Sequence, residues 1–377
     1  MIYTKFFPQK KLWIVGCLLY PGMNKILLHI TLYISVLLLA SCATTKTDVL
    51  AVCELNSVNN YEIKWEVFPP VDGYLQVYQF SSGDMTRKDL RRPDQVVSIS
   101  SGQLEVVDNN GQRAFFFLNF NNEYQEVISN RFIKIPGVEA IRDIGGYRTK
   151  DGNQIAWGKL LRGPELQNLY PISQQQLAQL NTNLLISLDH NRYDYLADKQ
   201  MFKSYRFIPI YLKGFDQINE RILNNECKRG DVALYIEDVY TYLLKRRTEE
   251  YASVLRLMSD KDNYPIMISS HHQEEKIDFL IAMLLDYLGV NTEDIVDDYL
   301  TSNQGLDLRN YFNVVGRLSS DSQEALTYLL TANKRSVDFL LQKVRKDYGS
   351  VESYFKKELH LTDKELSDLK KNLILNL

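Results

Sequence analysis

Cysteine is scarce in this chain. Four occur among 377 residues: Cys17, Cys42, Cys53 and Cys227. That is too few for a disulfide framework, and no C-x-x-C pair marks a zinc site. Cys53 and Cys227 lie far apart and read as free thiols. An excess of either charge is also missing. Lys and Arg number 44 against 47 Asp and Glu, a formal charge of −3. Such balance leaves no electrostatic footprint for a polyanion, so no nucleic-acid partner is expected. What is present is a hydrophobic content of 45% and a charged content of 24%, the composition of a globular protein. The length suits two domains behind a leader.

The apolar run Ile26 to Leu39 is too short for a comfortable membrane span and has the flanks of a secretion signal. Met23-Asn24-Lys25 supplies the basic start, so translation is expected to begin at Met23 as an alternative to Met1. Leu39-Ala40-Ser41-Cys42 resembles a bacterial lipobox. It implies lipidation of Cys42, export, and residence in the bacterial cell envelope on a lipid anchor in the membrane. Residues 1–42 are thus read as signal peptide and 43–52 as a tether.

From 53 to 134 the chain alternates apolar and polar residues in short runs. YEIKWEV (61–67) and YLQVYQF (74–80) are separated by Pro69-Pro70 and Asp72-Gly73. Runs at 95–100, 103–108, 113–120 and 124–133 follow. Short strands at regular spacing predict a β-sandwich, of immunoglobulin or fibronectin type by pattern. No catalytic constellation falls in it, and a spacer or docking role is expected.

The chain is organised around Tyr264 to Val290. Pro265 to Ile268 reads as a buried strand, Ser269 to Lys276 as a polar loop, and Ile277 to Leu288 as a helix apolar on nearly all sides. A polar loop between a buried strand and a helix N-terminus is a usual anion site, because free N–H groups and the helix dipole favour negative charge.

Upstream, Arg142-Asp143-x-Gly145-Gly146-Tyr147 is followed by Gly158-x-Leu160-Leu161-Arg162. This ordered string is similar to the entry segment of the bacterial tyrosine/dual-specificity phosphatase family, which includes lipid-phosphatase-like enzymes. NLLISLD (183–189) resembles that family's buried strand, with Ser187-Leu188-Asp189 where D-L-R is usual. The likeness extends over about 135–375. It implies an α/β fold for 135–377, a cysteine-phosphatase-like sheet flanked by helices, with residues 191–260 as a helical lid. By residue chemistry alone, Arg142 and Asp143 fit a structural ion pair as well as a substrate-binding site.

The family's loop reads H-C-x-x-G-K-D-R-T-G. Counting back from Leu288-Gly289-Val290 lays Ser269 on the His and Ser270 on the nucleophilic Cys. Gln273 falls on the Gly, Glu274 on the Lys, Glu275 on the general-acid Asp, Lys276 on the Arg and Ile277 on the Thr. Ser270, Glu275 and Lys276 are therefore the candidate catalytic positions. His271, His272, Gln273, Glu274 and Ile277 join Arg142 and Asp143 as candidate substrate contacts. A serine hydroxyl is far harder to ionise than a thiol, and lysine lacks the planar fork that clamps phosphate. The expectation is a pseudophosphatase that binds a phosphoester or phosphoprotein ligand. The alternative is an active protein-tyrosine, dual-specificity or phosphoinositide phosphatase with an unusual site. His271-His272-x-Glu274-Glu275, with His190, also admits a metal reading. Solvated histidines are the simpler account, and neither metal nor other cofactor is expected.

Overall fold

The structure is a computed structural model that describes residues 47–83, 90, 92–107, 112–166, 169–189, 201–270, 275–305 and 312–376. The leader, Cys42, His190, His271, His272, Gln273 and Glu274 lie outside the described residues. Among the described residues no helix is long and apolar enough to cross a membrane. Cys53 and Cys227 are both free and buried.

Two antiparallel sheets come first. One has the order β1 (Asp48–Leu55), β2 (Tyr61–Phe68), β5 (Gln103–Val106). The other has the order β4 (Gln95–Ser98), β3 (Tyr74–Phe80), β6 (Phe115–Phe120), β7 (Tyr124–Ser129). The first strand begins at Asp48, inside the stretch expected to be a tether. Its alternation puts Val49 and Cys53 in the core shared by the two sheets, which favours pairing over a free linker. Every residue of β6 is buried. Phe116, Leu118 and Phe120 face the first sheet, and Phe115 and Phe117 face Trp157 of the following segment. A strand covered on both sides loses the apolar/polar alternation and becomes continuously apolar.

The single strand expected at 124–133 is two strands. After β7 the chain breaks at Asn130-Arg131, and β8 (Phe132–Ile135) enters a different sheet. This is the central six-stranded sheet, in the order β13-β12-β14-β11-β9-β8. Its strands are β9 (Val138–Asp143), β11 (Leu160–Pro164), β12 (Leu184–Ser187), β13 (Ser204–Phe207) and β14 (Ile266–Ser270). β13, β12, β14 and β11 run parallel, and β9 and β8 are antiparallel additions at one edge. The short β10 (Gln154–Ile155) pairs with β15 (Ile374–Leu375).

The helices are α1 (Pro171–Gln179), α2 (Phe215–Leu223), α3 (Arg229–Arg246), α4 (Thr248–Ser259), α5 (Glu275–Tyr287) and α6 (Thr292–Thr301). Then come α7 (Phe312–Val315), α8 (Ser320–Leu330), α9 (Lys334–Tyr348), α10 (Val351–Lys357) and α11 (Asp363–Leu373). Helix α5 is central, as its all-round apolarity requires: from Lys276 to Leu285 every residue is buried. Of the stretch expected to form a helical lid, residues 191–200 lie outside the described residues, and the remainder is not all helix. Within it β13 extends the sheet, and α3 buries Val232, Ile236, Val239, Tyr240, Leu243 and Leu244 in the main core. A helix with that much apolar surface is a wall of the core, not a cover.

The two β-sheets and the central sheet belong to one compact unit, 48–377. Their junction is closely bonded. Gln154 accepts from the Val127 N–H at 3.0 Å and donates to the Val127 carbonyl at 2.9 Å. The Trp157 indole donates to the same carbonyl at 2.7 Å. Arg113 pairs with Asp143 and donates to the Asn130 carbonyl. A Cβ on Gly146 (φ +94°) would lie 2.3 Å from the Trp157 ring, so the glycine pair of the entry segment admits this tryptophan.

Candidate active site

The C-terminal ends of parallel strands are where an α/β sheet offers a site, because chain direction and helix N-termini converge there. Here β12 and β14 are neighbours in register, Ser187 opposite Ser269. β14 ends on Ser270, β12 leads into Asp189, and α5 begins with Glu275 and Lys276. These segments bring three buried polar side chains together. The Ser270 hydroxyl donates to Asp189 Oδ1 at 3.1 Å. Lys276 Nζ lies 3.6 Å from the same oxygen. Lys276 is 1% exposed and Asp189 is 2% exposed. Burial lowers the proton affinity of the Lys276 ammonium, and the Asp189 carboxylate opposes that shift. Glu275 and Glu165 also act on Lys276 with negative charge.

Behind this cluster runs a second set of buried charges. Arg162 on β11 pairs with Asp278 on α5. The Ser302 hydroxyl donates to Asp278 at 3.3 Å and accepts from Arg142 at 3.0 Å. Arg142 also donates to the Asp298 carbonyl at 2.9 Å and pairs with its carboxylate at 3.3 Å. Tyr147 donates to the other Asp298 oxygen at 3.0 Å. Burial pushes Asp298 up, but Arg142 and Arg162 outweigh it and hold the carboxyl below its usual range. These pairs tie α5 and α6 to β9 and β11.

Ser270 and Lys276, laid on the nucleophile and the loop arginine by counting, do meet at one place. Arg142 and Asp143 lie elsewhere. Arg142 is committed to Asp298, and Asp143 accepts from the Gly145 and Gly158 amides, each at 2.8 Å, besides pairing with Arg113. Ile277 is 2% exposed and belongs to the main core. Glu275 stands at the first turn of α5, close enough to Tyr235 that its charge raises that phenol, after burial. Asp189 is the residue that sequence reasoning passed over. Its one signal was an acid standing where the family's strand carries arginine. Among the described residues no group of His, Cys, Asp and Glu is arranged to hold a metal.

A family model described as the tyrosine phosphatase family matches residues 133–375. No curated protein sequence matches the chain. A solved structure, the catalytic core of Siw14, aligns at 10% identity with a TM-score of 0.27, covering 57% of this chain and 95% of that one.

Proposed function

This chain belongs to the tyrosine phosphatase family, and we propose that it has kept the family's fold and lost cysteine-based phosphoester hydrolysis, acting through binding. One observation supports this most: the hydroxyl and the ammonium at the positions of nucleophile and phosphate clamp both address Asp189 Oδ1. A cysteine with a reference pKa of about 8.5 is readily driven to thiolate by loop amides and a helix N-terminus, whereas serine needs a neighbouring base. Lysine offers a point charge where arginine offers a planar fork. Glu275 and Glu165 add negative charge beside Lys276, which opposes a phosphate dianion.

A competing reading, an active hydrolase with Ser270 as nucleophile, draws on the same bond, since Asp189 accepts from the Ser270 hydroxyl as a general base would. Lys276 lies 3.6 Å from that same oxygen, so the carboxylate is already engaged by a cation, which favours the inactive reading.

The proposal includes export and lipidation at Cys42, supported by the apolar run and Leu39-Ala40-Ser41-Cys42. It also takes the two N-terminal sheets as an immunoglobulin-like sandwich, supported by their shared core. Steady-state hydrolysis of an aryl phosphate by the natural protein, beside a Ser270→Cys/Gln273→Gly/Lys276→Arg variant, is the test. An inert natural protein and a variant that gains turnover are expected. Turnover by the natural protein overturns the proposal.

A further inference from the structure

We propose that Asp189 acts as a built-in substitute for a phosphoryl anion, holding the Ser270 hydroxyl and the Lys276 ammonium away from oxyanions until its charge is removed or it is moved aside. This rests on the reading of Ser270 and Lys276 as the counterparts of nucleophile and phosphate clamp, and it adds the regulation of that same site.

The argument is one of charge and position. Ser270 closes the central strand, Lys276 opens the central helix, and Asp189 follows the neighbouring parallel strand. All three side chains are buried, so each polar group needs a partner within the protein. A single carboxylate oxygen serves both the hydroxyl and the ammonium. An incoming phosphate oxygen would want the same two donors. The other two buried cations of this region are committed: Arg162 pairs with Asp278, and Arg142 with Asp298. Among the described residues, Lys276 is therefore the cation that an anion at this place would have to recruit, and Asp189 holds it. Any oxyanion entering beside an intact Asp189 meets its charge at close range in a medium of low dielectric. With Asp189 neutral, Lys276 and Ser270 lose the charged acceptor they share and can turn to a phosphate oxygen, with Glu275 and Glu165 left as the remaining negative charge on Lys276.

The test is calorimetric titration of inorganic phosphate into the purified protein and into Asp189→Asn, which keeps the side-chain shape. Asp189→Asn is expected to bind phosphate about tenfold more tightly than the natural protein, as one charged donor released from its carboxylate implies. Asp189→Asn/Lys276→Met is expected to lose that gain. A folded Asp189→Asn no better than the natural protein overturns the proposal. The natural protein gives a second answer that needs no folded variant. Phosphate is expected to raise its Tm no more than chloride of equal ionic strength, because the site is already occupied. Phosphate-specific stabilisation of the natural protein, lost in Lys276→Met, also overturns the proposal. Anion blindness in Asp189→Asn leaves the loss of hydrolysis standing, whereas turnover through Ser270 removes that reading itself.

Discussion

Lys276 Nζ stands 3.6 Å from Asp189 Oδ1, and both side chains are almost wholly out of water. The two positions lie on separate segments, one opening α5 and one following β12. In the resembling family both carry arginine. Here one is acidic and the other is lysine, so opposite charges face each other out of water. Removing one member of a buried pair costs about 3–5 kcal/mol, while replacing both with apolar groups of similar volume is often neutral. Asp189→Ala is thus expected to lower the urea midpoint strongly, and Asp189→Leu/Lys276→Met to recover most of the loss. If Asp189→Ala shifts unfolding by only about 0.5 kcal/mol, the pair is solvated and its buried geometry is wrong.

The N-terminal sheets are bound into the fold through Trp157. Its ring packs with Tyr78, Phe115, Phe117 and Val127, and its indole donates to the Val127 carbonyl. Trp157→Ala is expected to cost about 3–5 kcal/mol by chemical denaturation, and Gly146→Ala to destabilise as well by pressing on the ring. A fragment of residues 135–377, which leaves Trp157 without its pocket, is expected to unfold without a cooperative transition by circular dichroism. A cooperative fragment contradicts this reading and restores the β-region as a detachable module.

Glu126 gives a pH dependence. It is buried on β7, with its carboxylate 3.7 Å from Arg148 and within reach of the Tyr124 hydroxyl, and Asp48 adds negative charge. Burial raises its pKa from 4.5 to about 7, against the pull of Arg148. The folded form therefore holds its proton where the unfolded chain has released it. The associated stability is complete below about pH 4.5 and is lost as pH rises through about 7. Urea unfolding of the natural protein at pH 5 and pH 8 is expected to show this loss. Glu126→Gln is expected to flatten the slope across that window. An unchanged slope in Glu126→Gln assigns the dependence to other groups.

Much of the frame was legible in sequence. Alternation located β2 and β3, and apolarity on all sides located α5 at the centre. The break between β7 and β8 was not legible. It depends on Arg113 reaching the Asn130 carbonyl and Asp143, contacts between segments distant in the chain. β13 was lost within a stretch of mixed polarity, because SYRF carries little apolar pattern and takes its place by pairing with β12. At the site, counting along the loop singled out Ser270 and Lys276, and both side chains address one carboxylate oxygen. The partner they share, Asp189, lies 81 residues before Ser270, and its one signal, an acid at the end of 183–189, does not say what it meets.

The central claim is that Ser270 performs no phosphoester chemistry. The most direct test is the rate of aryl phosphate hydrolysis by the natural protein against Ser270→Ala, at equal folded concentration. The account predicts the same background rate for both. A rate above background in the natural protein that disappears in Ser270→Ala contradicts it, and makes Asp189 and Lys276 the working partners of a serine nucleophile.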